Sequence, residues 1–259
     1  MIAAHARVVA GLGRRSVVSA FRRPQFLAPI IIFPSLFLAV NTGGAGRATE
    51  IPGFPEVAGF LDFELAGAML QSTMLAGISG GIALAIDIEM GFIDRLLAAP
   101  IARWTMVAGR LMATFVLGFV AAVWFLVIGL MFGAEIQGGA LGVLLVLLMV
   151  PASAAAFGGL AAALALYTGR ASVVQSIFPL VFVIIFLSSA FFPRELLLEP
   201  ASSIADWNPL SFIAEGLRDP IVSGVSGGPL VKALGSIAIV GMLGVGLSAA
   251  ALRARLRAA

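Results

Sequence analysis

Apolar residues in this chain fall in long unbroken blocks, at about 26–40, 65–86, 106–132, 140–167, 173–192 and 234–252, separated by short polar connections. Blocks of this length carry no alternation that would suit strands. Each is close to the ~20 apolar residues a helix needs to cross hydrocarbon, where a helix satisfies its own backbone polar groups. The pattern predicts an all-α integral membrane protein: a single transmembrane domain over 1–259 with six spans. Residues 1–23 read differently. Arg7, Arg14, Arg15, Arg22 and Arg23 alternate with Val9, Leu12 and Val17, which predicts an amphipathic helix lying at the membrane surface and anchored to anionic lipid. The apolar core and small-residue cleavage site of a signal peptide are missing from this stretch.

Breakers refine the spans. Pro24 suits the opening turn of the first span, where a missing N–H is harmless. Pro29 and Pro34 lie inside it, so neighbouring side chains are expected to satisfy the carbonyls they free. Gly77 and Gly81 allow a close helix contact in the second span. Pro151 and the Gly158-Gly159 pair predict a kink or break in the fourth.

Two polar segments stand out. Residues 193–231 hold Glu195, Glu199, Asp206, Glu215 and Asp219 among short apolar stretches, and predict short extracellular helices on or in the membrane surface. Residues 87–103, DIEMGFIDRLLAAPIAR, form the only dense run of charge between two long apolar blocks. A helix from Asp87 to Ala99 would put acid at its start and Arg95 near its end, matching the helix dipole. Pro100 would stop it. Phe92 with Leu96, and Ile93 with Leu97, would make an apolar ridge at i, i+4 spacing, fit either for lipid or for a groove on a partner. The spacing alone equally allows a solvated connecting loop.

Composition agrees with a membrane protein and narrows its chemistry. The chain is 61% hydrophobic and 11% charged, where soluble domains carry about a quarter charged residues. With no cysteine and His5 as the sole histidine, thiolate or histidine metal clusters and a Ser-His-Asp triad are excluded within one chain. The sequence has no G-x-x-x-x-G-K-[ST] pattern and Lys232 is its only lysine, so a nucleotide-hydrolysing site of that type is not expected here. If the spans alternate, one side receives only Arg47, Arg194, Arg218 and Lys232 of the sixteen Lys and Arg, and all acidic residues except Asp87, Glu89 and Asp94. The positive-inside rule then places both termini and the charged stretch in the cytoplasm. Basic residues sorted in this way report topology, not nucleic-acid binding.

Asp87, Gly91, Asp94-Arg95, Pro100-Ile101-Ala102-Arg103 and Gly109-Arg110 resemble the cytoplasmic coupling segment of ABC-2 type transporter permeases, particularly the daunorubicin-resistance branch. Ser188 to Pro193 resembles the outer end of that family's fifth span, and Asn208-Pro209-Leu210 with Glu215 to Arg218 its Asn-Pro segment. Many members place basic residues where this chain has Ile88 and Met90. The resemblance implies a permease subunit of an exporter in the bacterial plasma membrane, paired with a second permease chain, expected to be identical. It also implies two copies of a cytoplasmic ABC ATPase that bind ATP and Mg, with no cofactor in this chain. The coupling residues it implies are Asp87, Glu89, Gly91, Phe92, Asp94, Arg95, Leu96, Pro100 and Arg103. It further implies a substrate path lined by Gln71, Ser72 and Thr73 of the second span and Gln175, Phe178, Phe182 and Phe186 of the fifth. Apolar lining with few polar groups suits a hydrophobic or amphipathic solute such as a drug or lipid-like compound. Aromatic stripes also pack against lipid or a neighbouring helix, and buried glutamines also bond across helix interfaces.

A secondary transporter is one rival, disfavoured by the lack of a strong carboxylate or lysine at mid-membrane. A non-transporting membrane scaffold is the other.

Overall fold

The computed structural model describes residues 2–258. Every regular element among them is helical: α1 (Ile2–Phe21), α2 (Pro24–Ala45), α3 (Phe60–Glu89), α4 (Phe92–Leu97), α5 (Trp104–Met131), α6 (Gly139–Thr168), α7 (Ala171–Gln175), α8 (Phe178–Phe186), α9 (Ala201–Trp207), α10 (Pro209–Val222) and α11 (Gly227–Ala258). Five of them, α2, α3, α5, α6 and α11, are long and apolar enough to cross a membrane.

α3 is the axis of the bundle. Of its most apolar stretch 83% is buried, against 22% for α2 and 28% for α11. Small residues explain how so many neighbours reach it. A Cβ built on Gly77 would meet Phe157 and the backbone of Gly158, and one on Gly81 would meet Ala161 at 2.6 Å, so the Gly77/Gly81 pair lets α6 close on α3. Gly159 and Gly244 do the same between α6 and α11, where Ser248 also donates to the Gly159 carbonyl at 2.8 Å.

Prolines act as the sequence predicts in one helix and differently in two others. α2 continues through Pro29 and Pro34. Pro34 deprives the Ile30 carbonyl of its helical donor, and the Ser72 hydroxyl of α3 donates to that carbonyl at 2.7 Å. α6 runs through Pro151 without interruption. The apolar block at 173–192 is not one span-length helix. It forms α7 and α8, separated at Ser176 and Ile177, because Pro179 has no N–H to continue the α7 ladder and instead opens α8.

The helix ends sort by charge. Asp87, Arg110, Arg15, Asp94 and Arg255 meet at one end, the basic end. Arg194, Asp206, Glu215 and Arg218 meet at the other.

Candidate functional site at the basic end

The helix predicted from Asp87 to Ala99 is two helices. α3 carries Asp87 and Glu89 in its last turn and ends as Met90 donates to Ile86 and Gly91 to Ile88. Gly91 then adopts φ 66°, ψ 16°, a left-handed conformation open to glycine without the Cβ penalty, and starts α4 in a new direction. Arg95 reaches back to the Gly91 and Met90 carbonyls at 3.3 and 3.4 Å.

Asp87 is the junction of three helices. Both its oxygens accept from Arg15 of α1, at 3.0 and 3.1 Å, and one also accepts from Arg110 of α5. Arg110 is buried, so Asp87 is the carboxylate that balances its charge within the protein. The Arg15 guanidinium lies 3.6 Å from the centre of the Phe92 ring and so also holds the first residue of α4. Glu89 accepts from the Ala171 N–H at 2.8 Å, capping α7. Asp94 faces Arg255 of α11 at 3.7 Å.

Below these charges, Ile93 is buried with Ile88, Val107, Leu166, Val174 and Leu252, and Phe92, Leu96 and Leu97 pack on the same cluster. The predicted apolar ridge thus faces the protein's own helix ends. Met90, Asp94, Arg95, Pro100 and Arg103 remain exposed on the outer side. The arrangement is a short helix seated on the ends of α3, α5, α6, α7 and α11, with a charged face turned outward.

The residues predicted for a substrate path are not gathered in one place. Gln71, Ser72 and Thr73 are fully buried. Ser72 serves Ile30, Thr73 donates to its own Leu70 carbonyl, and the Gln71 amide has no hydrogen-bond partner. Gln175 and Phe178 do line a groove of about 870 Å³, together with Gln25, Ser79, Ser172 and Ser176 and an apolar wall from α2 and α3. Its lining holds no charged side chain. Phe182 packs edge-on against Phe33, and Phe186 against Phe37, with ring centroids 5.2 and 5.9 Å apart. The aromatic stripe therefore forms a ladder between α8 and α2.

The acidic end is stitched together by side chains the sequence did not single out for this role. Arg218, buried, donates to the carbonyls of Phe63, Ser189 and Ala190 and stacks 3.7 Å from the Phe63 ring centre. Arg194 bridges Glu215 and Asp206. Burial draws the Arg194 guanidinium down, but the bonds and charge of Glu215 and Asp206 outweigh it and raise its pKa above the ordinary arginine value. Asn208 caps α10 by accepting from Leu210, while its amide donates to the Ile184 and Leu187 carbonyls at the end of α8. Glu64, near the start of α3, is fully buried and accepts from Asn41 at 2.8 Å.

Some of the basic-end junction was readable. A lone Asp87 ending one apolar block and a lone Arg110 beginning the next lie across from each other in any antiparallel hairpin. Arg15 and Arg255 arrive from distant parts of the chain and leave no local signal.

A bundle of long apolar helices with a short charged helix seated between the second and third of its apolar blocks has the makeup of a multi-pass membrane protein. The profile of the ABC-2 type transporter family matches residues 8–222, and the chain belongs to that family of multi-pass membrane permeases. It is similar to the daunorubicin resistance ABC transporter permease protein DrrB1 of Streptomyces coeruleorubidus. The two are 27% identical over 218 residues, covering 82% of this chain and 74% of that protein.

Proposed function

We propose that this chain is the membrane-spanning subunit of an ABC exporter that moves a hydrophobic or amphipathic compound out of the cytoplasm or inner leaflet. A separate ATPase, two copies per complex, binds and hydrolyses ATP with Mg, and a second copy of this chain completes the membrane pathway. Both termini and α4 face the cytoplasm, and α7 with α8 serves as a sixth, broken span. The observation that carries this reading is the seating of α4. Its apolar side is embedded among five helix ends and its exposed face presents Asp94 and Arg95. Force applied to that face passes directly into the ends of α3 and α5, through Gly91 on one side and Arg103 on the other.

The groove at Gln25, Ser79, Gln175 and Phe178 supports this choice of solute class. Amide and hydroxyl groups at an apolar wall suit an apolar body carrying a few hydrogen-bonding groups. The test is to reconstitute the chain with its ATPase and compare wild type with a Gly91→Ala/Arg95→Ala variant. The expected result is retained assembly with loss of transport and of stimulated ATP hydrolysis. Unchanged transport and stimulation would remove the coupling role. Gln175→Ala and Phe178→Ala should shift which compounds are exported while stimulation by the ATPase partner persists.

A further inference from the structure

One face of α1, with the two residues that follow it, carries four arginines, of which only Arg15 figures in the contacts described so far. Gly13 and the buried Ser16 belong to the inner face, where Gly13 meets Met112 and Leu12 meets Gly109 of α5. The opposite face is formed by Gly11, Arg14, Arg15, Val18, Ser19, Arg22 and Arg23, which line an open surface cradle of about 510 Å³. Arg14, Arg22 and Arg23 have no ion pair or hydrogen-bonded side-chain partner among the described residues. Arg15 does have one, but Asp87 divides its charge between Arg15 and the buried Arg110. Four arginines thus line one open cradle, and Asp87, the carboxylate that Arg15 reaches, is already shared with Arg110.

Uncompensated positive charge brought together in this way calls for an anion from outside the chain. The cradle ends at Arg23, the residue immediately before α2 enters the apolar block. Val18 and Phe21 stand exposed beside the arginines, at 39% and 49%. Cationic groups next to exposed apolar ones, at the foot of a membrane-crossing helix, match a phosphate with acyl chains attached more closely than a free phosphate. The geometry points to a binding site for the phosphate group of an anionic phospholipid, held by Arg14, Arg22 and Arg23 with Arg15 at its inner edge. Because Arg15 also holds Asp87 and Phe92, a bound headgroup competes for the residue that ties α1 to the coupling segment.

The test uses the full chain in detergent, equilibrated with mixed micelles of phosphatidylcholine and phosphatidylglycerol, with retained lipid quantified after purification. Wild type should enrich phosphatidylglycerol. Arg22→Gln/Arg23→Gln should bind it roughly thirtyfold more weakly, from the usual contribution of two arginines near a lipid surface. Arg14→Gln should weaken it less, in the same direction. Arg253→Gln/Arg257→Gln removes the same charge from exposed positions at the same end and should leave the enrichment intact. Equal loss in both double variants would reduce the effect to general surface charge and overturn the site, as would the absence of any enrichment in wild type. Displacement of the lipid by inorganic phosphate alone would overturn the lipid assignment.

Discussion

The two ends of this bundle differ in emphasis: ion pairs join helices at both, as Arg194 does with Glu215 and Asp206 at the acidic end, but there buried side chains also fasten to backbone carbonyls of other elements. At the acidic end, side chains reach backbone carbonyls: Arg218 serves three, Asn208 two more, and the helices they join are held at fixed separations. At the basic end the bonds run between side chains, Arg15 and Arg110 to Asp87 and Asp94 to Arg255, across glycine turns at Gly91 and Gly169 with φ of 66° and 65°. Carbonyl-directed bonds lock backbone geometry, whereas ion pairs between side chains follow a moving helix by changing rotamer. On the proposed coupling mechanism, the basic end is the one that receives motion and the acidic end the one that holds its geometry.

Breaking the stitched end should cost most in stability. Arg218→Met takes the guanidinium donor from the Ser189 and Ala190 carbonyls and a second donor from Phe63, and is expected to destabilise by about 4 kcal/mol, read as a lowered thermal midpoint in detergent. Asp87→Asn leaves the buried Arg110 facing a neutral amide and should cost about 3 kcal/mol. Unlike Arg218→Met, it should also depress transport in whatever protein does fold, measured per assembled complex. Asn208→Ala removes a cap and two carbonyl donations, for about 2 kcal/mol in the same unfolding assay.

Gly91→Ala meets no atom within 4 Å, so its effect is confined to the left-handed backbone, about 1 kcal/mol. Its loss of coupled ATP hydrolysis should exceed its loss of stability, and Gly91→Asn should recover part of both. Arg95→Ala, on an exposed turn, should change stability by no more than ~0.5 kcal/mol and alter only coupling. If Arg218→Met and Arg95→Ala gave the same balance of stability and coupling losses, the contrast between the ends would fail.

Several of these features were visible in the residue pattern because they depend on local chemistry. The long apolar blocks became α2, α3, α5, α6 and α11, and the carbonyl freed by Pro34 found Ser72 as a neighbour. The Asp87 to Ala99 helix was misjudged in extent. Dipole logic runs through Met90, but Gly91 carried the local signal for a stop, and its left-handed turn leads into the seating of Ile93 in the apolar cluster. The break at Ser176 and Ile177 had its signal in Pro179, outweighed in the pattern by an unbroken run of hydrophobic residues. Arg218, Glu64 and Asn41 converge over separations in sequence that no periodicity encodes.

The division of the 173–192 block has a consequence for the bilayer itself. A straight helix over Ala171–Phe186 is about 24 Å long, against roughly 30 Å of hydrocarbon. Asn208 fixes its far end by engaging the Ile184 and Leu187 carbonyls, so α8 does not lengthen to close the gap. A lipid-facing wall of this length would present less hydrophobic thickness than α5 or α6, a mismatch that a bilayer relieves by thinning, at fractions of a kcal/mol per Å. On the proposed transport reading, the bilayer would be thinnest on the side of the bundle where the Gln175 and Phe178 groove begins.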